Sequence, residues 1–417
     1  MGRRRIPGWP QTALAPLLPL CLALAACGPA KRKAADYYVD KAAAVMEAVS
    51  VREADVEKAF GWLDKALRLD PSSERAVRTA QELSDAAARN GFARASELEV
   101  GVLSDLIAAS PLQWHAYPPL VQALALRGEL EPLASLAASL AKKEKTFTGP
   151  DRHRTLMSLC LARAALLPWL ESDGFLALNR NPDRVRERTM EYVSQAELLA
   201  EAREQIDGLE KKDLSLKSGA PQALVSTFEV AMGDVFGRPE EMERMRSIAA
   251  LFASEQAYAR AAELTVQGNA NLLAREYGKA RAMFTSALRN WPAMLDARRQ
   301  LVEVDFQEGA GLAVAGKDMR QARRLLYRAY EDSEELIEAA LEKGPALPFV
   351  SPGRFAGDLY ALKAAVISAV YAIEGRKLRN KVKLETEYKA ALYEAVKLAP
   401  DSRLARELLE RYSKEGF

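Results

Sequence analysis

Two segments far apart in the chain, AFGWLDKALRLDPSSERA and ARAMFTSALRNWPAMLDA, carry matching residues at the same spacing. The first supplies Ala59, Leu63, Ala66 and Pro71, the second Ala280, Phe284, Ala287 and Pro292. Residues spaced by three and four share one face of a helix, and a proline shortly after the last of them stops it. Small residues on that face leave room for a neighbouring helix to come close. YKAALYEAVKLAPDSRLA continues the series through Leu392, Ala395 and Pro400, with Tyr388 in the first position. MRQARRLLYRAYEDSEE continues it through Ala322, Leu326 and Ala329 without the proline. A single pair of such helices cannot bury its apolar face, whereas stacked pairs can.

The spacing and the closing proline resemble the second helix and turn of the tetratricopeptide (TPR) repeat. The copy around Phe284 matches best: Leu264 and Gly268 stand where the family's first helix carries an apolar and a small residue, and Tyr277 opens the second helix. A weaker two-helix rhythm, turning at Gly128, runs through WHAYPPLVQALALRGELEPLASLAASLAKK. From residue 34 onward apolar residues recur at three and four with no alternating run, so the expected fold is all-α, a solenoid of TPR-like helical hairpins. Residues 207–222 lose the strong apolar period. They are expected to form a loop or boundary between an N-terminal helical block, 34–206, and a C-terminal block, 223–417.

The first 26 residues have the order of an export signal: Arg3, Arg4 and Arg5, then an apolar stretch, then small residues. The apolar stretch contains Pro16 and Pro19 and falls short of the roughly 20 residues that span a bilayer. Leu24, Ala25, Ala26 and Cys27 resemble the lipobox of bacterial lipoprotein precursors. The resemblance implies that the Cys27 thiol receives a diacylglycerol, that the chain is cut before it, and that the new N-terminus is acylated. More than one acyl chain gives lasting membrane attachment. Residues 27–33, including Lys31, Arg32 and Lys33, read as a short basic tether that reaches about 20 Å when extended. With Gly28 rather than aspartate after the cysteine, the family's sorting pattern implies the outer membrane, facing the periplasm, if the source is Gram-negative.

Lysine plus arginine total 59 against 57 acidic residues. Without the three signal-peptide arginines the body is near neutral and lacks the clustered basic surface of a nucleic-acid binder. Only His115 and His153 are present, neither near another metal-ligating residue in the pattern of a zinc site. Cys160 lies in the apolar run LMSLCLARAALL and reads as a buried, inert thiol. No phosphate loop or nucleophile elbow is present. The expectation is therefore a protein that is not an enzyme, has no metal and no cofactor beyond the lipid at Cys27, and gives no indication of a small-molecule ligand.

Asn269 falls at the position where peptide-clamping TPR domains carry an asparagine, but Thr265 replaces the accompanying lysine. Asn269, Leu272 and Leu273 are thus candidates for a partner-binding inner face by position. Phe349 and Phe355 lie in the proline- and glycine-rich stretch GPALPFVSPGRFAGD and would be partner anchors if exposed. The function expected is a membrane-anchored periplasmic scaffold that binds protein partners in envelope assembly or secretion, a build shared with outer-membrane assembly factors and pilus pilotins. The second reading is an accessory subunit resembling the TPR lipoprotein of tripartite ATP-independent periplasmic (TRAP) transporters.

Overall fold

The computed structural model describes residues 17–47, 51–236, 239–374 and 381–415, and all regular structure among them is helical. The chain divides into two compact units, residues 1–166 with 199–235 and residues 167–198 with 236–417.

The first unit opens with α1 (Leu17–Met46), α2 (Glu53–Leu69), α3 (Glu74–Arg89) and α4 (Ala95–Ala109). It continues through α5 (Tyr117–Arg127) and α6 (Leu130–Glu144). Two long helices, α7 (Gly149–Arg180) and α8 (Pro182–Lys212), give residues to both units, and α9 (Ser215–Ser218) and α10 (Gln222–Phe236) follow. In the second unit lie α11 (Pro239–Ser254), α12 (Gln256–Leu273), α13 (Tyr277–Asn290) and α14 (Leu295–Val314). Then come α15 (Met319–Lys343), α16 (Pro352–Glu374), α17 (Lys381–Leu398) and α18 (Arg403–Glu415).

From α1 to α6 and from α11 to α18, helices pack on the next in sequence and often on the next but one. This holds for α1 with α2 and α3, for α2 with α4, and in the second unit for α12 with α13 and α14 and for α16 with α17 and α18. Packing mainly between neighbours along the chain is what makes an α-solenoid, so these runs are TPR-like helical hairpins, joined in the second unit by longer-range contacts such as that of α12 with α7.

The recurring residues do what their spacing requires. On α2 the buried face is Val56, Ala59, Phe60, Leu63, Ala66 and Leu67, and on α13 it is Ala280, Phe284 and Ala287. Ser73 caps α3 by accepting the Ala76 N–H at 3.2 Å, and Gly128 ends α5 in the left-handed region at φ +70°. Because Ala287 is completely buried against the paired helix, Ala287→Leu is expected to overpack the hairpin and cost about 1–3 kcal/mol, read as a lower urea midpoint.

Two expectations change, and the proline- and glycine-rich stretch is resolved. Residues 28–33 are exposed but helical and continue α1, with Pro29 inside it, instead of forming an extended tether. The alanine, lysine and arginine that follow the proline are strong helix formers. The loop expected at 207–222 is shorter, since α8 runs to Lys212, and the stretch 207–222 lies inside the first unit. Half of the stretch from Gly344 to Asp358 is the start of α16. Residues 1–16 of the expected signal peptide, and the side chain of Cys27, lie outside the described residues. The helix α16 is long and apolar enough to cross a membrane, yet Phe355, Leu359, Leu362, Val366 and Ile367 are buried in the core beside α15 and α17.

Between α3 and α4 the first unit buries a carboxyl group. Burial pushes Glu99 from an ordinary 4.5 up to about 7, against a hydrogen bond with Ser84, and Asp85 adds a like charge. The folded state therefore holds a proton that the unfolded chain has already released. The contribution of Glu99 to stability is full below pH 4.5 and falls as pH rises toward 7. The loss is about 3 kcal/mol. Glu99→Gln should flatten this dependence and raise the urea midpoint at neutral pH. An unchanged pH profile would show that Glu99 does not carry it.

Candidate functional site

In the second unit, two consecutive turns of α12 bring polar side chains into the interior. Thr265 is fully buried and spends its hydroxyl proton on Ala261 O at 2.8 Å, within its own helix. One turn on, buried Asn269 donates from Nδ2 to Leu178 O of α7 at 3.0 Å. The reverse amide orientation would set two carbonyl oxygens against each other, so Asn269 Oδ1 must point away from Leu178. That oxygen is buried and has no partner.

The first turn of α14 supplies Asp296, whose Oδ2 accepts the N–H groups of Ala346 at 2.7 Å and Leu347 at 3.0 Å. Burial drives this carboxyl above the ordinary carboxylate range, while the two backbone bonds pull it back. Tyr258 Oη donates to Ala346 O at 2.5 Å, and Arg244 donates to Leu347 O at 3.3 Å and Val350 O at 2.9 Å. The segment between α15 and α16 is thus tied at three of its residues. Phe349 holds a left-handed φ of +67°, with its ring edge-on to Tyr192 and against Gly174, where a Cβ would come within 2.4 Å of it.

This arrangement surrounds a cavity of about 250 Å³. Phe175 and Leu178 of α7, Leu347 and Val350 of the tied segment, and Phe355 of α16 form its apolar wall. Its polar lining includes Asn179, Asn269, Asp296, Arg299, Gln300 and Asp358. Arg299 Nε is buried and unpartnered, and Asp358 Oδ1 accepts the Ser402 hydroxyl at 2.8 Å. A larger cavity of about 490 Å³ lies in the first unit between α2 and α4, but its one cation, Arg68, is already bonded to Asp64 at 2.9 Å.

The structure brings Asn269 and Phe355 together in the cavity wall and separates the other candidates. Leu272 is buried in the second unit's core, and Leu273 is exposed. Neither Phe349 nor Phe355 is a surface anchor, because each is buried. The cavity's other polar members were missed: Asp296 reads as an ordinary carboxylate in a first helical turn, and Arg299 and Asp358 carry no local motif.

Elsewhere the Cys160 thiol is shut in. Cys160 is fully buried, and burial pushes its thiol up to about 12, while His153 is committed through Nε2 to Glu210 at 2.9 Å. No cluster of metal-ligating side chains occurs among the described residues.

The fold defines an all-α protein of TPR-like hairpins whose second unit encloses a mixed polar and apolar cavity. No protein-family model matches the chain, and no curated protein matches it in sequence. Among solved structures the chain is similar to yeast Tom70, at 13% identity over 93% of this chain and 90% of that one, with a TM-score of 0.21. At that TM-score the likeness carries no weight for fold or function, and the fold class stands on the helix pairing described above.

Proposed function

We propose that this protein is a noncatalytic scaffold lipoprotein, held at a membrane by acyl chains on Cys27 and binding protein partners through its helical hairpins. The observation that carries the reading is the run Leu24-Ala25-Ala26-Cys27 placed ahead of stacked helix pairs. The anchor supplies location, and the repeats supply surface. The site of action is the periplasmic face of the outer membrane, in envelope assembly or secretion. An accessory subunit for uptake of a hydrophobic solute is the second reading. It ranks lower because such a solute calls for an apolar passage, whereas the second unit's cavity carries Asp296, Arg299 and Asp358.

Two variants test the proposal. Cys27→Ser is expected to abolish acylation and leave an uncut precursor or a chain cut elsewhere. A form lacking residues 1–27, exported behind a cleavable signal, should still capture its partner in extracts but fail to bring it to the membrane, because tethering raises effective concentration without adding a contact. A mature wild-type chain without lipid, by mass spectrometry, would end the lipoprotein reading.

A further inference from the structure

Voids left by imperfect packing are apolar and dry. The second unit's cavity differs, because a buried acceptor, Asn269 Oδ1, and a buried donor, Arg299 Nε, both belong to its lining and neither has a partner in the protein. Asn269 is 7% exposed, so bulk water does not satisfy it. Buried polar groups left unpaired are rare because each carries its full desolvation penalty. The lining therefore calls for a molecule that donates at one point and accepts at another.

Charge and shape narrow the choice. Arg299 is a cation, Asp358 is a carboxylate that accepts the Ser402 hydroxyl at 2.8 Å and lies 3.9 Å from Arg354 Nε, and Asp296 is already spent on the Ala346 and Leu347 amides. Phe175 and Phe355 line the same cavity. The volume, about 250 Å³, is that of about eight waters and falls below the range of drug-sized ligand sites. Phe175 is 38% exposed, which places the rim of the cavity at the surface.

We propose that this cavity binds a free α-amino acid with an apolar side chain. The carboxylate accepts from Arg299, the ammonium donates to Asn269 Oδ1 and Asp358, and the side chain lies against Phe175 and Phe355. A zwitterion meets the cation of the wall with its carboxylate and Asp358 with its ammonium, and its apolar part covers surface for which water alone has no use. The proposal does not depend on the lipid anchor.

Calorimetric titration of the full chain in detergent with L-leucine and L-phenylalanine tests it, using N-acetyl-L-leucine and L-leucinamide as probes that each lack one charge. At least one of the two amino acids should saturate a single site, and removing either charge should weaken binding at least about tenfold. Arg299→Met and Asn269→Leu should each weaken it at least about tenfold, with circular dichroism and melting showing the fold retained. Should either variant unfold, Phe175→Ala at the exposed rim provides an independent check and should also weaken binding. Absence of saturable heat with both amino acids at millimolar concentration overturns the proposal. So does an acetylated or amidated probe that binds as tightly as L-leucine, or unchanged affinity in folded Arg299→Met.

Discussion

Replacing Asp296 with alanine is expected to lower the stability of the second unit by about 2–6 kcal/mol, about 1–3 for each of two donors left without an acceptor. Those donors are the N–H groups of Ala346 and Leu347, which both end on Asp296 Oδ2. The surrounding structure cannot relax easily, since Tyr258 and Arg244 hold the carbonyls of the same segment. Asp296→Asn should recover most of the loss. Burial favours the uncharged acid at this position, and an amide oxygen accepts the same two bonds without the charge. Urea unfolding of wild type and both variants at neutral pH measures this. An alanine variant as stable as wild type would mean that the segment is not held by Asp296.

The second large effect centres on Phe284, fully buried on α13. Its ring fills the space left by the missing side chain of Gly268 on α12, where a Cβ would stand 2.4 Å from Phe284 Cε1. Phe284→Ala should cost about 3–5 kcal/mol, the lost burial plus the cavity left behind. Gly268→Ala should displace the ring at a cost of about 1–3 kcal/mol, offset by up to about 1 kcal/mol of improved helix propensity. The two positions should couple: with Phe284→Leu in place, Gly268→Ala meets no ring and should cost less. A double-mutant cycle measures the difference, expected at about 0.5–3 kcal/mol. Purely additive losses would show that the glycine and the ring do not share this space.

The hairpins were legible because their determinants are local. Ala280, Phe284 and Ala287 lie within two turns of one helix, and Pro292 stands just beyond it, so a periodicity read along the chain already names the buried face and the stop. Gly128 and Ser73 act through their own backbone angles or a bond three residues away. For Phe349 and Phe355, composition marked an unusual segment but could not decide between a surface anchor and a core residue. That depended on Gly174, distant in sequence, leaving room for the Phe349 ring.

The sequence by itself determined the repeated helical hairpins, the turn at Gly128 and the close pairing at Gly268. Tertiary structure alone decided how α7 and α8 are shared between the units, and the existence of the cavity, whose polar groups come from α7, α12, α14 and α16. The physical reason is range. Helix formation and capping act within about four residues and leave a period in the sequence. The bond from Asn269 to Leu178 joins residues 91 apart, and that from Asp296 to Leu347 joins residues 51 apart. Bonds at such separations form only after the helices have packed, so no local spacing records them.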